Sequence, residues 1–143
     1  MSAVAQIGET EDRQTINDTL FRVARDIMGK AHSPYSTFPV GVALLTPSGA
    51  VYSGCNIENA SYPEGWCAET AAISHMICAG ETEIAEVCVT AKKMDRIPPC
   101  GGCRQRLAEF GTAQTLVHFS DQSGIVETWT LEDLLPSAFS SRI

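Results

Sequence analysis

No stretch of this sequence approaches the roughly 18 consecutive apolar residues that a membrane-spanning helix requires, so no such helix is expected. Basic residues are scarce as well. Ten Lys and Arg stand against 17 Asp and Glu, a formal charge of −7. An acidic surface repels phosphate backbones, so a nucleic-acid polymer is not an expected partner, whereas a neutral small substrate is compatible. The segment Met1 to Glu9 has neither a basic start nor a long apolar run; it reads as no signal peptide, and a cytoplasmic location is expected. There is no internal repeat, low-complexity segment or linker, and 143 residues suit one domain, 1–143, with its own core. Residues 1–9 are expected to fray. The three histidines (His32, His75 and His118) are scattered outside any ligand pattern and read as surface or satisfied core residues.

Cysteine, by contrast, is plentiful. Six cysteines without an export signal point to thiols or metal ligands, not to a disulfide framework. Three of them group. Cys67-Ala-Glu69-Thr70 is followed by Pro99-Cys100-Gly101-Gly102-Cys103. Three thiols are the ligand count of a catalytic zinc that keeps one coordination position open, whereas structural zinc sites close at four. Cys100 and Cys103 are spaced to share one face of a helical turn. Both groups fall at predicted helix starts, where free N–H groups favour thiolate, and Pro99 suits a first helical turn. A bound zinc brings its water to a pKa of about 7. Glu69, two residues after the first thiol, is then the candidate proton acceptor and donor beside the metal. Taken alone it would be an ordinary acidic residue at a helix start. Cys55, Cys78 and Cys88 read as inert core positions, and a closed structural site using one of them or a histidine as fourth ligand is the plainer alternative.

Periodicity gives a coarse frame. Thr10 is a fair N-cap for a helix with apolar positions Ile16, Leu20, Val23, Ala24, Ile27 and Met28, stopped by Gly29. Phe38 to Thr46 and Val51 to Asn56 suggest a hairpin around Pro47-Ser48-Gly49. Helices are predicted over 67–79 and 100–110, strands over 86–91, 115–119 and 125–129, and a short last helix over 131–135. Strands interleaved with helices favour an α/β fold with one mixed sheet covered by helices.

The blocks Ser33-Pro-Tyr-Ser36, Val40-Gly-Val-Ala43, Gly54-Cys-Asn-Ile-Glu-Asn-Ala-Ser-Tyr62, Cys67-Ala-Glu69, Pro99-Cys-Gly-Gly-Cys-Arg-Gln105, Ala108-Glu-Phe-Gly111 and Leu134-Leu-Pro-Ser-Ala-Phe139 together resemble the cytidine deaminase family, in its small homotetrameric branch. The resemblance runs from about Ser33 to Phe139. It implies a three-layer fold with a five-stranded mixed sheet. It also implies one zinc per subunit on Cys67, Cys100 and Cys103, and hydrolysis of cytidine and 2′-deoxycytidine to the uridines and ammonia. In the zinc-deaminase scheme a zinc-activated water attacks C4 of the ring, with a glutamate as acid and base; by resemblance that residue is Glu69. Asn56 and Glu58 resemble the ribose-binding pair, and alternate positions of an extended segment can point the same way. Phe38 resembles the residue packed near the base, Tyr62 and Phe139 the aromatics that complete the pocket, partly from neighbouring subunits, and the Ala68 backbone is expected to meet the pyrimidine edge. A homotetramer with shared sites, acting in pyrimidine salvage, follows from the same likeness.

One departure stands out. Many relatives carry Arg directly after Cys-Ala-Glu, and here the residue is Thr70. Three thiolates and one Zn²⁺ leave a net negative charge that an adjacent Arg would offset. Arg104, next to Cys103, is the expected substitute. Competing readings are a blasticidin-S-type deaminase, which lacks the Asn-x-Glu pair, a polynucleotide deaminase, a non-catalytic zinc-stabilised module, and a thiol redox protein using Cys100 and Cys103.

Overall fold

The computed structural model describes residues 2–141. Its centre is one mixed sheet of six strands, in the order β1-β3-β2-β4-β5-β6. The strands are β1 (Ala5–Gln6), β2 (Val40–Leu45), β3 (Ala50–Cys55), β4 (Glu86–Ala91), β5 (Leu116–Ser120) and β6 (Ile125–Thr130). All neighbours pair antiparallel except β4 and β5, which run parallel from Glu86↔Leu116 to Val89↔Phe119. A parallel pair needs a crossover, and α3 (Gly101–Phe110) provides it. In the same way α2 (Ala68–Cys78) carries the chain from β3 over β2 to β4. Helices α1 (Arg13–Met28) and α4 (Leu131–Leu134) complete the set.

Alternation along the strands sorts the layers. Val42 and Leu44 of β2, with Tyr52, Val87, Val89, Val117 and Phe119, face α2, α3 and α4, whose Ala72, Met76, Leu107 and Leu131 close that core. Ala43 and Leu45, with Val51 and Cys88, face the opposite side, where α1 lays down Leu20, Phe21, Val23 and Ala24. Each such large side chain fully removed from water contributes roughly 1.5–3 kcal/mol before ordering entropy. The three layers are therefore helix, sheet and helices, as expected. Two glycines set how closely the layers approach. A Cβ on Gly41 would stand 2.0 Å from the Ala24 carbonyl oxygen in α1, and one on Gly54 would stand 2.2 Å from the Ala72 nitrogen in α2.

Several expectations need correction. The sheet has six strands, not five, and the added one lies inside the segment expected to fray. Ala5 and Gln6 pair with Val51 and Ala50, and Ile7 is buried; Met1 of that segment lies outside the described residues. The cap of α1 is Asp12, not Thr10, its carboxylate accepting from Thr15 N at 2.8 Å. A 3₁₀ turn, Tyr62–Glu64, which periodicity does not show, precedes α2. No helix among the described residues is long and apolar enough to cross a membrane.

Candidate metal centre and nucleoside cleft

The chain leaves β3 at Cys55 and β4 at Ala91, at the carboxyl ends of two parallel strands, and returns as α2 and α3. Such strand ends are where open α/β sheets place ligands. Cys67 is the N-cap of α2 and Cys100 the N-cap of α3, and neither helix start has a side-chain cap bond. The free N–H groups of both first turns therefore lie around sulfur. Cys103 lies one turn into α3, fully buried.

The three Sγ atoms of Cys67, Cys100 and Cys103 all lie within 4.8 Å of one another. Tetrahedral zinc with bonds of ~2.3 Å places its sulfurs about 3.8 Å apart, so these thiols fit the ion in number, softness and spread. Among the described residues they form the one grouping of metal-capable side chains, and it holds three members. Cys55, Cys78 and Cys88 lie outside it. His75 faces Ser53 and the Ser2 carbonyl, while His118 bridges Glu86 and Thr128. The hydrogen bond from Cys103, partly opposed by burial, brings the Cys67 thiol down to about 6, and Cys103, which holds that bond, is pushed up. Burial alone drives the inert Cys88 to about 12.

Glu69 is 5% exposed, in the first turn of α2 beside the thiols. Burial pushes its carboxyl up, against the opposing pull of its own backbone N–H, Cys103 and Arg106. A carboxyl raised toward neutrality can both take and return a proton.

Glu69, Cys67, Cys100 and Ala68 open onto a cleft of ≈ 370 Å³ that Asn56, Glu58 and Tyr62 also line. Both ribose-type candidates are held from within. Asn56 Oδ1 accepts from Val40 N at 2.8 Å and its Nδ2 donates to the Phe38 carbonyl at 2.8 Å. One lone pair and one N–H of the amide remain for a ligand. Glu58 Oε1 accepts from the Tyr35 and Ser36 backbone nitrogens at 2.9 and 3.1 Å, and its Oε2 accepts from Ser36 Oγ. These bonds, the Ser36 hydroxyl foremost, hold the Glu58 carboxyl below its usual range. They also anchor a loop in which Thr37 adopts φ +53°, a costly conformation for a β-branched residue that Lys93 Nζ, 2.7 Å from Thr37 Oγ1, helps to fix. Nothing in the sequence marks Tyr35 and Ser36 as the clamp on Glu58; that role emerges from the fold.

The remaining candidates are dispersed. Phe38 packs half-buried against the main core. Phe139 is 79% exposed, its carbonyl accepting from Gln105 Nε2 at 3.1 Å, and it does not line the cleft of its own chain. Thr70 is half-buried. Arg104 differs from expectation: its Nε donates to the Pro99 carbonyl and its Nη1 to the Leu134 carbonyl, both at 2.9 Å, tying the ligand turn to α4. The guanidinium that reaches sulfur is that of Arg106, with Nη1 3.9 Å from Cys103 Sγ. Sequence reading passed over Arg106, although the three-residue spacing from Cys103 carried the signal.

Comparison with known proteins agrees with this geometry. The family model for the cytidine and deoxycytidylate deaminase zinc-binding region matches residues 14–119. The cytidine deaminase of Sporosarcina psychrophila is 41% identical over 111 residues, 78% of this chain and 82% of that protein. That of Mycobacterium tuberculosis is 38% identical over 109 residues, 76% of this chain and 78% of that protein. The crystal structure of cytidine deaminase from Burkholderia pseudomallei superposes with a TM-score of 0.80 at 40% identity, covering 85% of this chain and 98% of that one. With a three-thiol centre at two helix tips and a match across three-quarters of its length, this chain belongs to the cytidine and deoxycytidylate deaminase family.

Proposed function

We propose that the protein hydrolyses the exocyclic amine of cytidine and 2′-deoxycytidine, converting each with one water to uridine or 2′-deoxyuridine and ammonia. The observation that carries this reading is a buried carboxylate, Glu69, set beside three convergent thiols at the floor of a cleft walled by Asn56 and Glu58. A zinc ion held by Cys67, Cys100 and Cys103 supplies Lewis acidity and an activated water when bound. Glu69 would take one proton from the attacking water and pass it to N3 of the pyrimidine, then take the second from the hydroxyl left on C4 and pass it to the departing amine, so both water protons are placed. Its burial supports this double role, since a raised carboxyl gives the proton back more readily than an ordinary one. Asn56 and Glu58 orient the ribose hydroxyls, the Ala68 backbone meets the base edge, and Phe38 and Tyr62 enclose the ring. Thr70 contributes a hydroxyl next to Glu69.

The proposal extends to the assembly and the setting. Phe139 completes the cleft of a neighbouring subunit in a homotetramer, and the reaction serves pyrimidine salvage in the cytoplasm. The support is the family likeness together with an exposed aromatic at residue 139 that its own cleft does not use.

The test is ammonia release from a panel of cytidine, deoxycytidine, cytosine, cytidine monophosphate and a blasticidin-type nucleoside, run with and without chelator beside Glu69→Gln. Release from the first two, abolished by the variant, is expected. Zinc-replete protein that leaves both untouched would sink the reading.

A further inference from the structure

The negative charge of a three-thiolate centre has to be offset from somewhere, and neither of the two obvious positions, 70 and 104, puts a cation on sulfur. Thr70 carries no charge. Arg104 points its Nε and Nη1 at the Pro99 and Leu134 carbonyls. We propose that Arg106 is the charge-balancing and positioning residue of the metal centre, standing in for an arginine after Cys67-Ala-Glu69, and that Gly102 leaves the room its guanidinium needs. The inference rests on the zinc-deaminase reading and deepens it.

Three observations converge. Arg106 follows Cys103 by three residues on α3, the spacing that stacks side chains on one helix face. Its Nη1 comes to 3.9 Å from Cys103 Sγ, within reach of an N–H···S contact to a diffuse, polarisable acceptor. A Cβ on Gly102 would stand 3.3 Å from that same Nη1, tighter than a relaxed contact, so a side chain there would displace the guanidinium by a few tenths of an ångström. The guanidinium stays protonated at any working pH and offers several donors in a fixed plane, so it can hold one sulfur while its charge acts on the whole cluster. Cys103 is the buried thiolate of the three, with little water to solvate its charge. That makes it the sulfur with the most to gain from a fixed cation.

The consequence is a trade of positions. A cation arriving from residue 70 would approach along α2; here it approaches along α3, from the turn that carries two of the ligands.

The experiment measures zinc affinity by competition with a chromogenic chelator, and the sulfur-to-metal charge-transfer band of the cobalt-substituted protein. It uses wild type, Arg106→Gln, Gly102→Val and the double variant Thr70→Arg/Arg106→Gln, with apo-state melting to check folding. Arg106→Gln is expected to weaken zinc binding about ten- to a hundredfold, as loss of a group supporting metal ligands does. It should also shift the cobalt band and leave apo melting in place. Gly102→Val should move in the same direction, and the double variant should recover most of the loss. Arg106→Gln holding zinc as wild type does would overturn the proposal. So would a double variant as weak as the single one, since the loss would then come from packing and not from charge. A wild type without zinc affinity would bring down the deaminase reading itself, a result distinct from an indifferent Arg106.

Discussion

The proton-moving role proposed for Glu69 calls for a fixed position and a raised carboxyl, and burial in the first turn of α2 provides both. Glu69→Gln keeps shape and burial but cannot take or return a proton, so kcat should fall about 10³-fold. Zinc content, read by elemental analysis, should stay at wild-type stoichiometry, because none of the thiols is touched. Asn56 differs in kind, since its amide is half structural. Asn56→Ala strands the Val40 N–H and the Phe38 carbonyl, and should lower stability by about 1–3 kcal/mol, as unpaired buried groups do. It should also raise KM, which steady-state kinetics beside a urea titration will separate from the stability loss. At this scale the sequence was most readable where chemistry fixes residue type: the three thiols and the neighbouring carboxylate. It misled at Arg104, because adjacency along the chain is not adjacency on a helix. A step of one residue turns the side chain about 100° away, and three residues bring it back beneath Cys103.

Elements were legible where their periodicity was strong. The strand 86–91 and the ends of α3 and α4 fall within a residue of expectation. The two-residue β1 was invisible because it is too short to show alternation and owes its order to pairing with β3. Likewise, Asp12 and not Thr10 caps α1, because the helix begins two residues later than a Thr10 cap implies. How tightly the elements seat depends on Gly41 and Gly54, whose missing Cβ atoms admit the backbones of α1 and α2. Gly54→Ala should lose about 3 kcal/mol through overpacking. Because Cys67 caps α2, zinc affinity should fall with stability, whereas Gly41→Ala on the opposite face should lower Tm and leave the metal site alone. Glu86 joins α1, β4 and β5: it is buried, accepts from Arg13 Nη1 and from His118 Nε2 at 2.8 Å each, and His118 Nδ1 lies 2.8 Å from Thr128 Oγ1 on β6. Burial pushes its carboxyl up, but these hydrogen bonds outweigh it and leave it below the ordinary 4.5. The unfolded chain therefore binds the proton first as pH drops. The stabilisation is complete above about pH 4.5 and disappears as pH falls through the lower folded-state value. Urea midpoints measured from pH 6 to pH 3 should show this acid slope in wild type and a flatter one in Glu86→Gln.

For the molecule as a whole, the open question is what covers the aromatic rim. Tyr35, Tyr62, Trp66 and Phe139 are each half-exposed or more, and the first three cluster at the cleft mouth through the Tyr35–Tyr62 ring contact and the Ile57–Trp66 bridge. A scattered exposed apolar residue needs no explanation, but a ring of aromatics around a cleft marks a surface that meets something. Under the proposed shared-site tetramer, Glu69 and Phe139 of one working site come from different subunits. That arrangement has a consequence that a monomeric site lacks. Phe139→Ala alone should lower kcat/KM by one to two orders of magnitude, the loss of an aromatic wall of the pocket, and Glu69→Gln alone should be inactive. Co-expressed in equal amounts, the impaired and the inactive chain should mix within one oligomer. Wherever a Phe139→Ala subunit supplies Glu69 and its Glu69→Gln neighbour supplies Phe139, the site is whole, so about a quarter of the wild-type rate should return in a closed, symmetric assembly. Sedimentation of the co-purified sample checks that the oligomer is a tetramer. A mixed sample no more active than the sum of its separate parents would mean that each subunit carries a complete site and that Phe139 acts, if at all, within its own chain.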